Sequence, residues 1–225
     1  LETLYQCMRT LQVLAQDVVQ QYDGRLHAVL GDRLMVLFGV KNAREDDARR
    51  IMAVLPKRMN KYGLTVHPEK TRLVRFQPPD ADASATTERP TTAPETFDFL
   101  GFTHYWGRSQ RGRWVVKRKT ARSRLKRAFQ TLSAWCRENL HQPIADQHQK
   151  LTQKLQGHYG YYGIIGNFAS LQNFLGGARK IWKRWLSRRS REGPLSWPDF
   201  ERLEKRYGLP KARVVHGLLS SAAKS

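Results

Sequence analysis

Clustered cations interleaved with aromatic rings are the residues of this chain best suited to chemistry, and one half of the chain holds most of them. Residues 101–225 carry 26 Lys and Arg against 6 Asp and Glu, while residues 1–100 carry 14 against 13. Arg108, Arg111, Arg113, Lys117, Arg118 and Lys119 fall on one predicted hairpin. Arg122, Arg124, Lys126 and Arg127 extend that surface, and Lys183, Arg184, Arg188 and Arg189 sit on a later helix. The chemistry open to such a set is phosphate neutralisation with release of condensed counterions. Tyr161 is the aromatic residue placed to stack on an exposed base. Tyr159, Tyr162, Trp182 and Trp185 fit apolar helical stripes and belong in a core, while His158 and His216 suit either an RNA contact or a structural place. The acidic doublet Asp46-Asp47 reads as helix N-terminal acids favoured by the dipole. No His/Cys cluster has zinc-ligand spacing, and no Walker loop or dinucleotide fingerprint is present.

These residues need elements to position them. Leu4 through Tyr22 repeat at helical spacing, and Asp23-Gly24 ends that helix. Leu26–Leu30 and Leu34–Phe38, joined by Gly31-Asp32-Arg33, read as a hairpin. Glu45, Asp46 and Asp47 open a helix that runs to Tyr62 and is expected to kink at Pro56. Leu64–Val66 and Arg72–Phe76 read as extended, and 77–96 as a flexible surface loop. A second hairpin pairs Phe97–Trp106 with Arg113–Lys117 across a turn at Gly107–Gly112. From Thr120 the pattern is helical: a stripe from Leu125 to Leu140, a helix after Pro143, one capped by Asn167, and a short one opened by Ser196 and Asp199.

Composition narrows the partner. At 225 residues the chain can bury a core. No stretch approaches the roughly 20 apolar residues of a membrane span, and the basic residues are spread over several helices, which disfavours a lipid-seeking face. A net charge of +21 with interleaved aromatics favours nucleic acid over membrane or acidic protein. Cys7 and Cys136 lie on apolar stripes and read as core residues of a reducing compartment, giving a cytoplasmic expectation. The Leu start reads as that of a fragment.

The run KYGLTVHPEKTRLVRF followed by FDFLGFTHYWG resembles the end of the palm domain in group II intron reverse transcriptase-maturases. The later blocks GHYGYYGIIGNFASLQNF and RVVHGLL are similar to that family's thumb, or maturase-specific, domain. The resemblance covers about residues 48–217, with several blocks in matching order. It implies that Lys70 lies near the leaving pyrophosphate and that Phe99, Leu100, Gly101 and Phe102 form a primer grip. It also implies that the helical region binds structured intron RNA and a primer-template duplex. The two metal-binding aspartates of the polymerase, one in a Tyr/Phe-Ala-Asp-Asp hairpin, have no counterpart, so the chain as written should not polymerise DNA.

The segment YDGRLHAVLGDRLMVLFGVKNAREDDARR resembles the early part of a class III adenylate/guanylate cyclase domain, over about residues 1–50. That resemblance implies Asp32 as a metal ligand, although Arg33 stands where the family has glycine. Both families imply Mg²⁺. The expectation is an α+β fold: a partial palm-like layer of helices on a small antiparallel sheet, then an all-α, basic, thumb-like bundle. Its segments are 1–50, 51–118 and 119–217. The leading function is binding of structured group II intron RNA to assist splicing, with no polymerase activity. The alternatives are an enzyme of either family whose missing parts lie outside the chain, or a non-functional mobile-element relic.

Overall fold

The computed structural model describes residues 25–30, 33–37, 45–76, 78–79, 96–189 and 193–216, with isolated helical positions at 13, 16 and 20. Most of the helix expected before Tyr22, the Asp32 turn and nearly all of the 77–96 loop lie outside the described residues. The architecture is α+β. It divides into two compact units, Leu1–Arg75 and Phe76–Ser225. The boundary expected near 118 falls inside the second of these.

In the first unit, strands β1 (Arg25–Leu30) and β2 (Arg33–Leu37) pair antiparallel, with Leu30 opposite Arg33 and a register shift between Leu26 and Ala28. Helix α1 (Glu45–Asn60) begins with the three acids that suit its N-terminal dipole, and it buries Ala48, Ile51 and Met59. Pro56 lies inside it. Tyr62 does not continue the stripe: it follows the helix end beside Gly63 (φ 70°) and is exposed. The segments expected as extended carry no strand pairing among the described residues, and Pro68–Lys70 between them form a 3₁₀ turn.

The second unit holds a three-stranded antiparallel sheet, β3 (Phe97–Phe99), β4 (Phe102–Arg108) and β5 (Trp114–Thr120), in the order β3-β4-β5. The expected two-strand hairpin is thus corrected to three strands. Phe99 pairs with Phe102 across Leu100 (φ 51°) and Gly101 (φ 81°). Two central residues with positive φ make the tight turn that matches strand twist. A leucine in that conformation is rare, so FLGF reads as one apolar strand. The second turn, closed by Ser109 N–H donating to the Arg113 carbonyl at 2.8 Å, is shorter than expected, and β5 runs on to Thr120.

Helices α2 (Arg122–Glu138), α3 (Ile144–Tyr162), α4 (Phe168–Ser187) and α5 (Trp197–Arg206) enclose one core. Its fully enclosed residues include Leu151, Leu155, Tyr159, Leu171, Trp182 and Phe200. The Trp182 indole N–H donates to Gln147 Oε1 at 3.0 Å, which keeps a large ring satisfied in the interior. Cys136 is buried among these residues, and desolvation pushes its thiol up to about 12, so it is a packing residue. Ser196 Oγ accepts from Asp199 N–H at 3.2 Å, the cap expected from the sequence.

Asn167 occupies the N-cap of α4, yet its side chain does not cap. Buried at 1% exposure, it spans from helix to sheet. Its Oδ1 accepts from Thr120 N–H at 2.8 Å, and its Nδ2 donates to Thr120 Oγ1 at 2.9 Å and to the Tyr162 carbonyl at 2.8 Å. The end of β5, the end of α3 and the start of α4 therefore meet on one amide. On the same corner the Gly163 carbonyl accepts from Val215 N–H at 2.7 Å and His216 N–H at 2.9 Å.

His158 lies inside this unit, stacked on Phe174 with centroids 3.8 Å apart and its Nε2 buried without a partner. Desolvation lowers its pKa to about 4. In the unfolded chain it titrates near the ordinary value of about 6.5, so the unfolded state binds more protons between those values. Its contribution is complete above about pH 6.5 and is lost as pH falls toward 4. Allowing for solvent screening of a partly exposed ring, about 1–2 kcal/mol should disappear in urea unfolding over that window. His158→Phe should flatten the slope.

Candidate nucleic-acid interface

Strand alternation sorts the hairpin cations onto two faces. Lys119 lies opposite Thr103 and Lys117 opposite Tyr105, so both lysines share one face with that tyrosine. The Lys119 ammonium sits 5.0 Å from the Tyr105 ring centroid. The Lys117 stem crosses Gly107, where an added Cβ would come within 2.8 Å of Lys117 Cδ. Arg118 pairs with His104 and Arg108 with Trp114, which puts those two arginines on the opposite face. The Arg108 guanidinium stacks 4.2 Å over Trp114 and donates to the Gly112 carbonyl at 2.8 Å. The single hairpin surface expected from the sequence is corrected to two. Arg111 and Arg113 are exposed at the turn between them.

The face of Arg118 is also the aromatic face. Phe97 stacks on His104 with centroids 4.8 Å apart, and Phe76 stacks on Trp106 at 5.2 Å while meeting Phe97 edge-on at 4.9 Å. These contacts explain why the segment is so rich in rings: on one side of the sheet its own aromatics half-bury one another. On the other face Lys119 is exposed and Lys117 half-buried, and Arg118 stays exposed beside the rings.

The turn Phe99–Phe102 is held from the helical side. Tyr161 donates its hydroxyl to the Leu100 carbonyl at 2.9 Å, and its ring lies parallel to Phe102 with centroids 6.1 Å apart. Tyr162 meets Phe102 edge-on at 5.3 Å. Ala121 N–H donates to the Gly101 carbonyl at 2.9 Å. Tyr161 keeps half of its surface exposed, but its polar tip is used inside the protein. It serves as a clasp on the turn as well as an exposed ring. Arg124 is also partly committed: its Cγ lies 3.7 Å from where a Gly101 Cβ would stand. Arg122, Lys126 and Arg127 are exposed on α2.

On α4 and just past its end several cations already act as donors. Lys183 Nζ donates to the Leu195 carbonyl at 2.5 Å, Arg184 to Ser133 Oγ at 2.9 Å and Arg189 to the Gln142 carbonyl at 2.9 Å. Arg184 and Arg188 both lie over the Trp185 ring, at 5.5 and 4.7 Å. Lys180, Lys183, Arg184, Ser187 and Arg188 form one wall of an open pocket of about 600 Å³, closed opposite by Gly193, Pro194 and Trp197. Lys180 and Trp197 were not among the residues expected from the sequence. The spacing 180, 183, 184, 187, 188 carries the signal for the lysine; nothing local marks the tryptophan.

The ion pairs found among the described residues are Arg179 with Glu204, bidentate, and Arg202 with Asp199. None of the cations expected to bind phosphate takes part in either. Lys70 lies in the 3₁₀ turn of the first unit. Asp32 lies outside the described residues. Among the described residues no three His, Cys, Asp or Glu side chains converge to hold a metal ion, and no helix is long and apolar enough to cross a membrane. No family model, curated protein or solved structure matches this chain.

Proposed function

We propose that the second unit binds structured RNA through its phosphates, in the manner that the resemblance to the thumb of group II intron maturases implies. One observation carries this reading. The exposed cations of the β4–β5 hairpin, α2 and α4 have no carboxylate partner in the ion pairs found, on a half-chain with few acids. Unpaired cations on a sheet hydrogen-bonded to its helices form a fixed array, so contact with phosphates releases counterions without reordering the protein. The Leu100–Gly101 turn, clasped by Tyr161, ties the sheet to the helices that carry the rest of these cations. The protein's role is to hold RNA structure, and the RNA supplies any splicing chemistry. The resemblance also implies Mg²⁺, and no step of this proposal passes through it.

Affinity for a group II intron RNA should fall about 10³–10⁵-fold between 50 and 200 mM salt if 6–10 phosphates are engaged. Arg127→Glu should weaken binding and reduce the salt slope by about one contact. Arg124→Glu is the poorer probe, because its stem packs on the turn. Equilibrium binding of the full chain to the intron RNA and to an unrelated structured RNA of equal length tests both levels. Unchanged affinity for Arg127→Glu removes α2 from the interface. Equal affinity for the two RNAs leaves phosphate binding and removes intron recognition.

A further inference from the structure

We propose that the α4 pocket holds one unpaired nucleotide of the bound RNA, its phosphate among Lys180, Arg184 and Arg188 and its base against Trp197. This deepens the RNA-binding reading and rests on it. The pocket is open to solvent, with a volume of about 600 Å³. Its basic wall is a single stripe, since residues 180, 184 and 188 recur at four-residue spacing along α4 and its C-cap. Like charges at that spacing oppose one another and destabilise the helix. Among the described residues that line the pocket none is acidic, and neither ion pair of the described residues includes any of the stripe. A bound anion is the species that relieves this repulsion.

The opposite wall identifies the rest of the ligand. Lys183 is used to build the pocket, since its ammonium bonds the Leu195 carbonyl and lies 4.9 Å from the Trp197 ring centroid. Ser187 completes the pin: its hydroxyl donates to the Lys183 carbonyl at 2.9 Å and accepts from Leu195 N–H at 3.1 Å. These bonds fix Leu195 against α4 and set Trp197 at the rim with 44% of its surface exposed. An exposed indole in a pocket lined by cations suits a base and its phosphate together, because aromatic stacking is indifferent to which base is present. A base paired in a duplex keeps its faces inside the stack, so the exposed indole selects a nucleotide turned out of the helix.

The test compares a fully paired RNA hairpin with the same hairpin carrying a single bulged nucleotide, each titrated against the full chain. The bulged RNA should bind roughly 5- to 150-fold tighter, the span of one stacked base. Trp197→Ala should remove that preference while leaving affinity for the paired hairpin within about two-fold. Lys180→Ser, at an exposed side chain without a described partner, should lower the preference in a protein whose packing is untouched. Equal affinity of the wild type for both hairpins, or a preference that survives both substitutions, overturns the pocket and leaves phosphate binding standing. No binding to either hairpin overturns the RNA reading itself.

Discussion

Asn167→Ala should lower the unfolding free energy by about 2–4 kcal/mol, because it leaves buried polar groups without partners. Thr120 N–H is the main one: it lies at the buried end of β5 and donates to Asn167 Oδ1. Thr120 Oγ1 loses its donor as well. The Tyr162 carbonyl is protected, since Ile164 N–H still reaches it at 2.8 Å. Asn167→Asp separates these effects. It keeps the acceptor for Thr120 N–H but faces a carboxylate oxygen toward the Tyr162 carbonyl, where an N–H donor stood. Its cost should equal or exceed that of alanine, since burying an unpaired charge is the greater penalty. Urea unfolding measures the loss, and amide exchange at Thr120 locates it. Wild-type protection of that amide in Asn167→Ala would show that the junction does not depend on the amide side chain.

Gly176→Ala and Gly177→Ala should move stability in opposite directions, although the residues are adjacent on α4. A Cβ at Gly176 meets nothing within 4 Å, so alanine there gains up to about 1 kcal/mol of helix propensity. A Cβ at Gly177 would stand 2.2 Å from Phe129 Cε1 and 2.5 Å from Cζ. The Phe129 ring cannot retreat freely, because it packs on Phe174 with centroids 5.5 Å apart. Overpacking of this kind costs about 1–3 kcal/mol beyond the propensity gain. The two variants should therefore differ by about 2–4 kcal/mol in urea unfolding. Phe129→Leu should partly rescue Gly177→Ala, a coupling that a propensity effect cannot produce. Equal stabilities for the two alanine variants would place α2 and α4 farther apart than the structure has them.

The helices were legible because their signals are local. Leu132 and Cys136 face inward as the 3.6-residue period requires, Trp182 lies in the core, and Ser196 caps α5 three residues before Asp199. Three features were not legible, each for a physical reason. Leu100 takes a conformation that leucine seldom adopts, which hid the turn inside FLGF. Asn167 has the identity and position of a cap, yet Thr120, 47 residues away, offers its side chain better partners. The basic surface was read from counts of cations, whereas strand alternation divides Lys117 and Lys119 from Arg118. The pocket on α4 needed a tryptophan from the next helix, and helical period cannot supply a contact between elements.

The corner at Gly163 sets an order in time as well as in space. Its carbonyl waits for the amides of Val215 and His216, and the Tyr159 hydroxyl waits for the Pro210 carbonyl at 3.1 Å. These partners are roughly 50 residues later in the chain, about 3–10 s of synthesis at ordinary ribosomal rates. Helices form in about a microsecond. A nascent chain that has just released α3 thus holds a finished helix with an unfinished end for a million helix-folding times. During that interval the exposed carbonyl and phenol are bound by water, and the corner closes only after residues 210–216 have left the exit tunnel. The domain is completed from its far end backward, and the end of α3 is locked by some of its latest residues.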